Sequence, residues 1–549
     1  MIIMNGNQKF FFLKAVLFFV TTFSSFAQQH IKFEDYAGLW KGQATENTPF
    51  KIAVTISDLG NSKGSLIFSN DKELLRKGFT LKDTLHIELD KKLFFEGIID
   101  RDRSQINGFI KLGNDFYPIQ LLKKNKVYKG ILNLSANHFL QPESHYLEIR
   151  KVYNSVEGYG AYPLLGAWVN DLKITNNKIF FEDFKTGLIF QGELQESQII
   201  LSVGLDSLEL AEINYIKVDK KEKRETIEIE DGWTYAKHKL SLKDLEHDID
   251  QNSLKGVESV LVAQDGKIRY ENYFNGSNST TTNDLRSAGK SIGSAIIGLA
   301  IDDEIITSTQ EKVYDYLPQA YQYTKDEEKS KITIEHLLTM SSGIGVYEND
   351  YQETDDWLKT VLEPKLKYKA GERTNYMSSD PFLLSVNLSE RLSYPLEFYM
   401  EKKLFGPLGI TNYILNTDDK GNPYFAGGLC MTPRDMLKFG QLYLDKGVWN
   451  GKRILSEKWI NTSFKKNTNL ENTSKKNAYG YFWWHDTYTV NGKSISTMEA
   501  RGNGGQYISI IPELNTVIVV TTENYNKRGA AKQTEKIIQK YILSILIKE

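Results

Sequence analysis

The sequence predicts a multidomain chain in which an N-terminal all-β region is followed by a mixed α and β unit, and three observations carry that expectation. The first is size: 549 residues, at roughly 100–200 residues per domain, give about three or four domains. The second is a succession of short β-rich segments reaching to Val218, punctuated by turn residues. The third is the mostly charged stretch from Lys217 to Glu230, beyond which strand-like and helix-like segments mix. With 40% hydrophobic and 25% charged residues, the composition is that of a globular protein and excludes a disordered, collagenous or coiled-coil chain. Lys plus Arg number 68 against 70 Asp plus Glu, a formal net charge of −2, so nothing in the balance attracts nucleic acid. The basic runs Lys123 to Lys129 and Lys220 to Arg224 read as solvated loops.

In chain order, residues 1–27 read as a signal peptide. Lys9 and Lys14 flank or interrupt an apolar stretch from Phe10 to Phe23, and Ser25 and Ala27 place small residues where a signal peptidase reads. The stretch is shorter than the ~20 residues of a membrane-spanning helix, so the expectation is an exported protein, periplasmic or secreted, without a membrane span. Cleavage after Ala27 removes two lysines and no acid, taking the formal charge from −2 to −4. Cys430 is the single cysteine, so no intramolecular disulfide can form; beside Leu429 and Met431 it reads as a buried small hydrophobe.

Residues 28–125 form the first expected β-rich domain and 126–230 a second β-rich unit with its linker. Lys51–Ile56, Leu85–Leu89, Phe94–Ile99 and Ile189–Leu194 are the clearest strands, with turns at Asp58 to Ser62, Asn114-Asp115 and Asn176-Asn177. Gly38-Leu39-Trp40 and Gly166-Ala167-Trp168 each open such a set, which suggests two related units. Gly-x-Trp also opens lipocalin-like barrels that hold a ligand, but a tryptophan at the start of a strand is more often a core plug.

The unit at 231–549 begins with a hairpin, Val257–Ala263 and Lys267–Tyr273, across Gln264-Asp265-Gly266. Helices are expected from Ser287 to Asp302, from Ile334 to Met340, from Pro381 to Leu392 and after Thr432-Pro433, where threonine suits the N-cap and proline the first helical position. Strands Gln506–Ile511 and Thr516–Thr522 and a helix from Ala530 close the chain. An antiparallel sheet holding both the first and last strands, with helices clustered elsewhere, is the economical arrangement.

Chemistry concentrates in the stretch from Asp284 to Ala300. Ser287 and Lys290 stand three apart, on one helix face and within reach of each other. A hydroxyl becomes a nucleophile when a base takes its proton, and a lysine is such a base only when its pKa falls. The positive end of a helix and burial among small residues (Ala288, Gly289, Gly293, Ser294, Ala295) both push it down. Gly289-Lys290-Ser291-Ile292-Gly293 overlaps this pair and fits the Gly-x-Ser-x-Gly elbow of α/β-hydrolases, with His336 or His485 as bases. An elbow needs a buried strand leading into it, and the polar run from Ser277 to Asp284 does not supply one. His336, within a helical pattern, reads as structural, and Tyr481, Trp483 and Trp484 as core residues with an acyl-pocket role as the alternative.

Ser287 to Lys290, Ile332 to Gly343, Tyr376-Met377-Ser378, Leu404 to Ile410, Gly427 to Asp435 and Gly502 to Gln506 come in an order that resembles the β-lactamase-related serine hydrolases. That family holds class C β-lactamases, penicillin-binding carboxypeptidases, related esterases and 6-aminohexanoate-dimer hydrolases. The resemblance covers about Asp231 to the C-terminus and implies a β-lactamase/transpeptidase-like catalytic domain, an all-α subdomain beside an α/β sandwich with the active site between them. It implies Ser287 as nucleophile, Lys290 as base or proton relay, Tyr376 as a second proton-transfer group and Ser378 as a contact to lysine or substrate.

The third family motif departs from the pattern. Where class C enzymes carry Lys-Thr-Gly or a His-containing equivalent, the best match is Asn503-Gly504-Gly505 followed by Gln506. The cation is missing, which weakens the case for β-lactamase activity, although Arg501 two residues earlier is a substitute. The expected substrate-binding set is Ser378, Asn503, Gly505 and Gln506, with the Gln506 and Ser287 N–H groups as oxyanion hole. The reading is an exported serine hydrolase acting on a small-molecule ester, amide or peptide through an acyl-enzyme, with no metal or organic cofactor. The competing reading is a catalytically weak peptidoglycan or peptide binding protein.

Overall fold

The computed structural model describes residues 33–43, most of 51–225 and nearly all of 227–548. The expected signal peptide and the Gly166 to Trp168 segment lie outside the described residues. Two antiparallel sheets make up the N-terminal part. The first runs, in spatial order, through Glu73–Lys77, Lys63–Ile67, Lys51–Asp58, Val127–Asn133, Asp115–Lys124, Gln105–Leu112, Leu93–Asp100, Thr84–Asp90 and Phe79–Leu81. The second runs through Ser155–Gly160, Tyr146–Val152, Gly38–Gln43, Leu208–Val218, Gln198–Leu205, Leu188–Gln195, Lys178–Asp183 and Lys173–Thr175. All four strands expected from sequence lie within these.

Alternation drives the assembly. Along Gln198–Leu205 the residues Ile199, Leu201, Val203 and Leu205 point inward while their neighbours stay half-exposed. The inward faces of both sheets share one core, filled by Trp40, Phe95, Tyr117, Phe190 and Tyr215. Trp40 is a core plug, with its indole N–H donated to the Tyr36 carbonyl at 2.7 Å.

The break expected between 125 and 126 falls inside a hairpin, where Lys124 pairs with Val127 around Asn125 at φ 59°. Gly38–Gln43, for its part, joins the second sheet, between Tyr146–Val152 and Leu208–Val218. Strand pairing, not chain order, divides this region, and a tight turn of this kind leaves no shift in composition to mark it.

Among its described residues the charged stretch after Val218 has no strand of its own, and it is fastened to the next unit. Lys221 pairs with Glu523, and the Ser279 hydroxyl donates to the Ile227 carbonyl at 2.5 Å. Asp231 meets the buried Arg434 at 2.7 Å, and Glu271 meets the same guanidinium at 2.8 Å. The N-terminal part is joined edge-on as well: Tyr413–Asn416 extends the first sheet through Leu415 opposite Phe116 and Asn416 opposite Asp115.

From residue 257 the structure follows the expected hairpin, Val257–Gln264 with Lys267–Tyr273, turning through Asp265 and Gly266, both at positive φ, as the two-residue type I′ turn requires. Its first strand pairs with the last, Thr516–Thr522, and the sheet continues through Gln506–Ile511, Lys493–Gly502 and Trp484–Val490. Lys243–Asp250 and the C-terminal helical segment cover one face, with Leu245, Ile249, Ile537, Ile538 and Ile542 in one core. Pro433–Leu444 covers the other; Thr432 caps it by accepting from the Asp435 N–H at 3.2 Å, with Pro433 at the first helical position. The helix Gly289–Asp302 is buried from Gly289 to Ala300 and passes against Trp459 at Gly298, where a Cβ would collide with the indole. Ile334–Leu338 and Ser379–Arg391 belong to the helical subdomain beside it. Among the described residues, no helix is long and apolar enough to cross a membrane.

Truncating Arg434 to Ala leaves Glu271 without the counter-charge it has in the protein and leaves Asp231 with only the more distant Lys438, at 3.7 Å. Loss of one partner of a buried ion pair costs about 3–5 kcal/mol. A marked fall in the urea midpoint of the full chain, followed by circular dichroism, is the expected result.

Candidate active site

The backbone just before the helix Gly289–Asp302 sets the site. Asn283–Asp284 forms a two-residue strand against Cys430–Met431, a short lead-in within the run read from sequence as purely polar. Arg286 then takes φ 50°, a strained conformation for a non-glycine residue, and is held by its N–H to the Asp284 carboxylate at 3.0 Å. Its guanidinium sits 2.8 Å from the same carboxylate and 4.8 Å over the Tyr525 ring. Ser287 lies in the 3₁₀ turn Arg286–Ala288, one turn ahead of the α-helix proper. Lys290, in the first α-helical turn, reaches back to it.

Lys290 Nζ stands 2.8 Å from Ser287 Oγ, 2.5 Å from the Ala426 carbonyl and 3.3 Å from Ser378 Oγ. The amine is almost wholly buried, and burial pushes its pKa down to about 8 against the opposing field of Glu348. Tyr376 places its ring 5.1 Å from the same amine, and burial pushes its phenol above the ordinary value, the neighbouring Ser287 hydroxyl opposing. Asn472 clamps the Tyr376 backbone, accepting from its N–H at 2.7 Å and donating to its carbonyl at 3.1 Å. Sequence reasoning brought Ser287, Lys290, Tyr376 and Ser378 together, and the structure does the same.

Ser291 does not line the cleft. It is fully buried within the helix and donates to the Phe482 carbonyl at 2.7 Å. His336 closes a capping box with Thr333. Burial pushes His485 down to about 4. Tyr481 donates to Glu335 at 2.8 Å, and Trp483 is enclosed by Phe439, Tyr443 and Phe464. Trp484 differs from its expected core role: it lines the cleft and packs 5.2 Å from Tyr376.

The third motif is corrected by the fold. Lys493–Gly502 ends before Asn503, and Asn503-Gly504-Gly505 is the turn into the next strand, with Gly504 and Gly505 at φ 90° and 96°. Gly505 packs on the C-terminal helix beside Thr534. Gln506 is fully buried, paired with Gly502 across the turn and bonded through its side chain to the Thr522 backbone. Neither Gly505 nor Gln506 lines the cleft, whereas Arg501, Gly502 and Asn503 do. Gly502 lies so close to the Leu285 carbonyl that a side chain would collide with it, which brings this strand against the turn that carries Ser287. Glycine content pointed to the right segment, but the register was set by where the strand stops.

Arg501 is not available as a substitute cation. It is bound by Asp486 and Glu499, each at 2.5 Å, and lies between the rings of Trp484 and Tyr507. The cleft holds about 720 Å³. Its wall includes Tyr347, Glu348, Tyr424 and Asn477, which carry no motif and which sequence reasoning missed.

Residues 243–541 match the profile of the Beta-lactamase family, and the chain belongs to that family. It is 23% identical over 314 residues to the 6-aminohexanoate-dimer hydrolase of Paenarthrobacter ureafaciens, over 51% of this chain and 74% of that one. Among solved structures, a family VIII carboxylesterase superposes with a TM-score of 0.43 at 13% identity, covering 56% of this chain and 100% of that one. A penicillin binding protein from Bacillus halodurans does so with a TM-score of 0.42 at 16% identity, over 55% and 99% of the two chains.

A lysine that acts as base must be neutral, so activity should rise as pH passes through a value near 8 and fall away below it. Coupling to Tyr376 makes the observed midpoint a property of the pair. Lys290→Ala is expected to lose about 10²–10⁴-fold in acylation while keeping its circular dichroism spectrum, and near-normal turnover in the folded variant would remove the amine from the chemistry.

Proposed function

We propose that the chain is a serine hydrolase that cleaves esters or amides through an acyl-enzyme on Ser287. The observation that carries this reading is the buried Lys290 amine 2.8 Å from the Ser287 hydroxyl, with its pKa pushed down to about 8 by desolvation. Lys290 takes the serine proton as the oxygen attacks the carbonyl carbon. Tyr376, with its ring 5.1 Å from the amine, passes a proton to the leaving group. Water then attacks the acyl-enzyme in the reverse sense and frees the serine. The Ser287 N–H, in the turn before the helix, is the nearest candidate donor to the developing oxyanion.

Labelling by a fluorescent fluorophosphonate tests the nucleophile. Ser287→Ala should abolish labelling. Ser291→Ala should retain it, at a stability cost of about 1 kcal/mol for the lost hydrogen bond. The opposite pattern would return the reading to an elbow serine.

The cleft favours neutral substrates. Arg501 and Arg286 are each held by carboxylates, and Glu348 faces the same space. Lys532 also lines the cleft, but it is exposed to solvent, where an ion pair is worth about 0–1 kcal/mol, whereas a substrate carboxylate in a partly desolvated site loses hydration worth a few kcal/mol. Short-chain p-nitrophenyl esters should therefore show higher kcat/KM than benzylpenicillin, and the reverse order would show that a cation in the cleft is free to bind the β-lactam carboxylate.

A further inference from the structure

Lys290 has more neighbours than a general base needs, and their hydrogen-bond arithmetic points to a residue outside every motif. A neutral amine has two N–H groups and one lone pair. For Lys290 to take a proton from Ser287, the lone pair must face that serine, so both N–H groups must be accepted elsewhere. The Ala426 carbonyl accepts one, at 2.5 Å. Ser378 Oγ, at 3.3 Å, is placed for the second. A hydroxyl accepts dependably only when its own proton is committed elsewhere; otherwise that proton competes with Ser287 for the lysine lone pair. The Ser378 hydroxyl donates to Glu348 Oε2 at 3.3 Å.

The carboxylate of Glu348 is itself held. Tyr424 donates to Oε1 at 2.7 Å, Gln352 Nε2 lies 3.3 Å from the same oxygen, and Tyr351 bonds to Tyr424 at 2.5 Å. The groups that face Lys290 are thus Ser287 on its own segment, Tyr376 and Ser378 from the chain leading into Ser379–Arg391, the Ala426 carbonyl, and Glu348 beyond Ser378. Within that set Glu348 supplies the negative charge.

We propose that Glu348 is a positioning residue of this active site: it accepts the hydrogen bond donated by the Ser378 hydroxyl, so that Ser378 accepts from Lys290 and the lysine lone pair is left facing Ser287, and its negative charge favours the protonated amine. The proposal rests on the Ser287 acyl-enzyme reading and deepens it. The sign follows from Coulomb's law. A nearby carboxylate favours the ammonium, so removing it frees the amine at lower pH.

The test is the pH dependence of kcat/KM for a p-nitrophenyl ester, together with fluorophosphonate labelling rates, in the full chain. Glu348→Gln removes the charge and presents an amide that can donate to Ser378, turning the serine proton toward the lysine. The acid limb should move down by about one pH unit, and kcat should fall about tenfold. Glu348→Asp keeps the charge and should hold the limb near its original place, whatever it loses in kcat. An unmoved limb in folded Glu348→Gln, or an equal shift in both variants, would overturn the proposal. Should Glu348→Gln fail to fold, Glu348→Ala carries the same expectation for the limb, and failure of both neutral variants beside a folded Glu348→Asp would make the residue structural and overturn it. The two readings fail separately: labelling that survives Ser287→Ala sinks the acyl-enzyme, whereas a stationary limb with Ser287 confirmed sinks only the role of Glu348.

Discussion

The desolvation of one amine is the constraint on which the rest of the active site depends. Lys290 is 1% exposed, and an ammonium in that position is costly enough to bring its pKa down to about 8. The same burial requires every hydrogen of the amine to find an acceptor, which the Ala426 carbonyl, Ser287 and Ser378 provide. Each of these is fixed in turn by a different part of the fold: Ser287 by the strained turn at Arg286, Ala426 by the strand beginning at Leu429, and Ser378 by the start of Ser379–Arg391 and by Glu348. A helix able to sit this deep needs a narrow surface, and Gly289, Gly293, Ala295 and Gly298 provide one.

Edge satisfaction explains why the N-terminal part is not a loosely tethered appendage. Strand edges left open present unpaired N–H and C=O groups, and here the edge near Asp115 is continued by Tyr413–Asn416, then by Leu429–Met431 and Asn283–Asp284. Backbone hydrogen bonds therefore run from the β-rich region to the residues just ahead of the turn that carries Ser287. The junction is also polar and buried. Lys111 reaches Thr417 at 3.3 Å, and burial lowers its pKa against the fields of Asp418, Glu397, Glu96 and Asp115. The continuous backbone pairing is what ties the two parts together.

Electrostatic pairing also decides what the cleft offers a substrate. Glu499 is fully buried and accepts from Tyr488, Thr497 and Ser509, each at 3.0 Å, in addition to Arg501. A guanidinium so engaged braces the sheet beside the cleft and presents no open donor face to an incoming anion. The aromatic side of the cleft, Tyr376 and Trp484 backed by the buried Tyr479, offers flat apolar contact instead.

The sequence by itself determined the elements whose signals are local. Alternation announced the β-rich segments, Asp265-Gly266 the hairpin, Thr432-Pro433 a helix start, and the three-residue spacing of Ser287 and Lys290 their meeting on one side of the chain. Order along the chain added Tyr376 and Ser378. Only the tertiary structure decided which strands pair, because Gly38–Gln43 crosses to the second sheet and Val127–Asn133 returns to the first without any mark in composition. It alone decided that Asn503 to Gly505 is a turn, since the glycines that suit a substrate's approach to a strand suit a reversal equally well. It alone brought Glu348 to Ser378 and bound Arg501 to Asp486 and Glu499. Those contacts join residues far apart in the chain, and a carboxylate has the same sequence signature whether it sits in solvent or accepts from a hydroxyl inside a cleft.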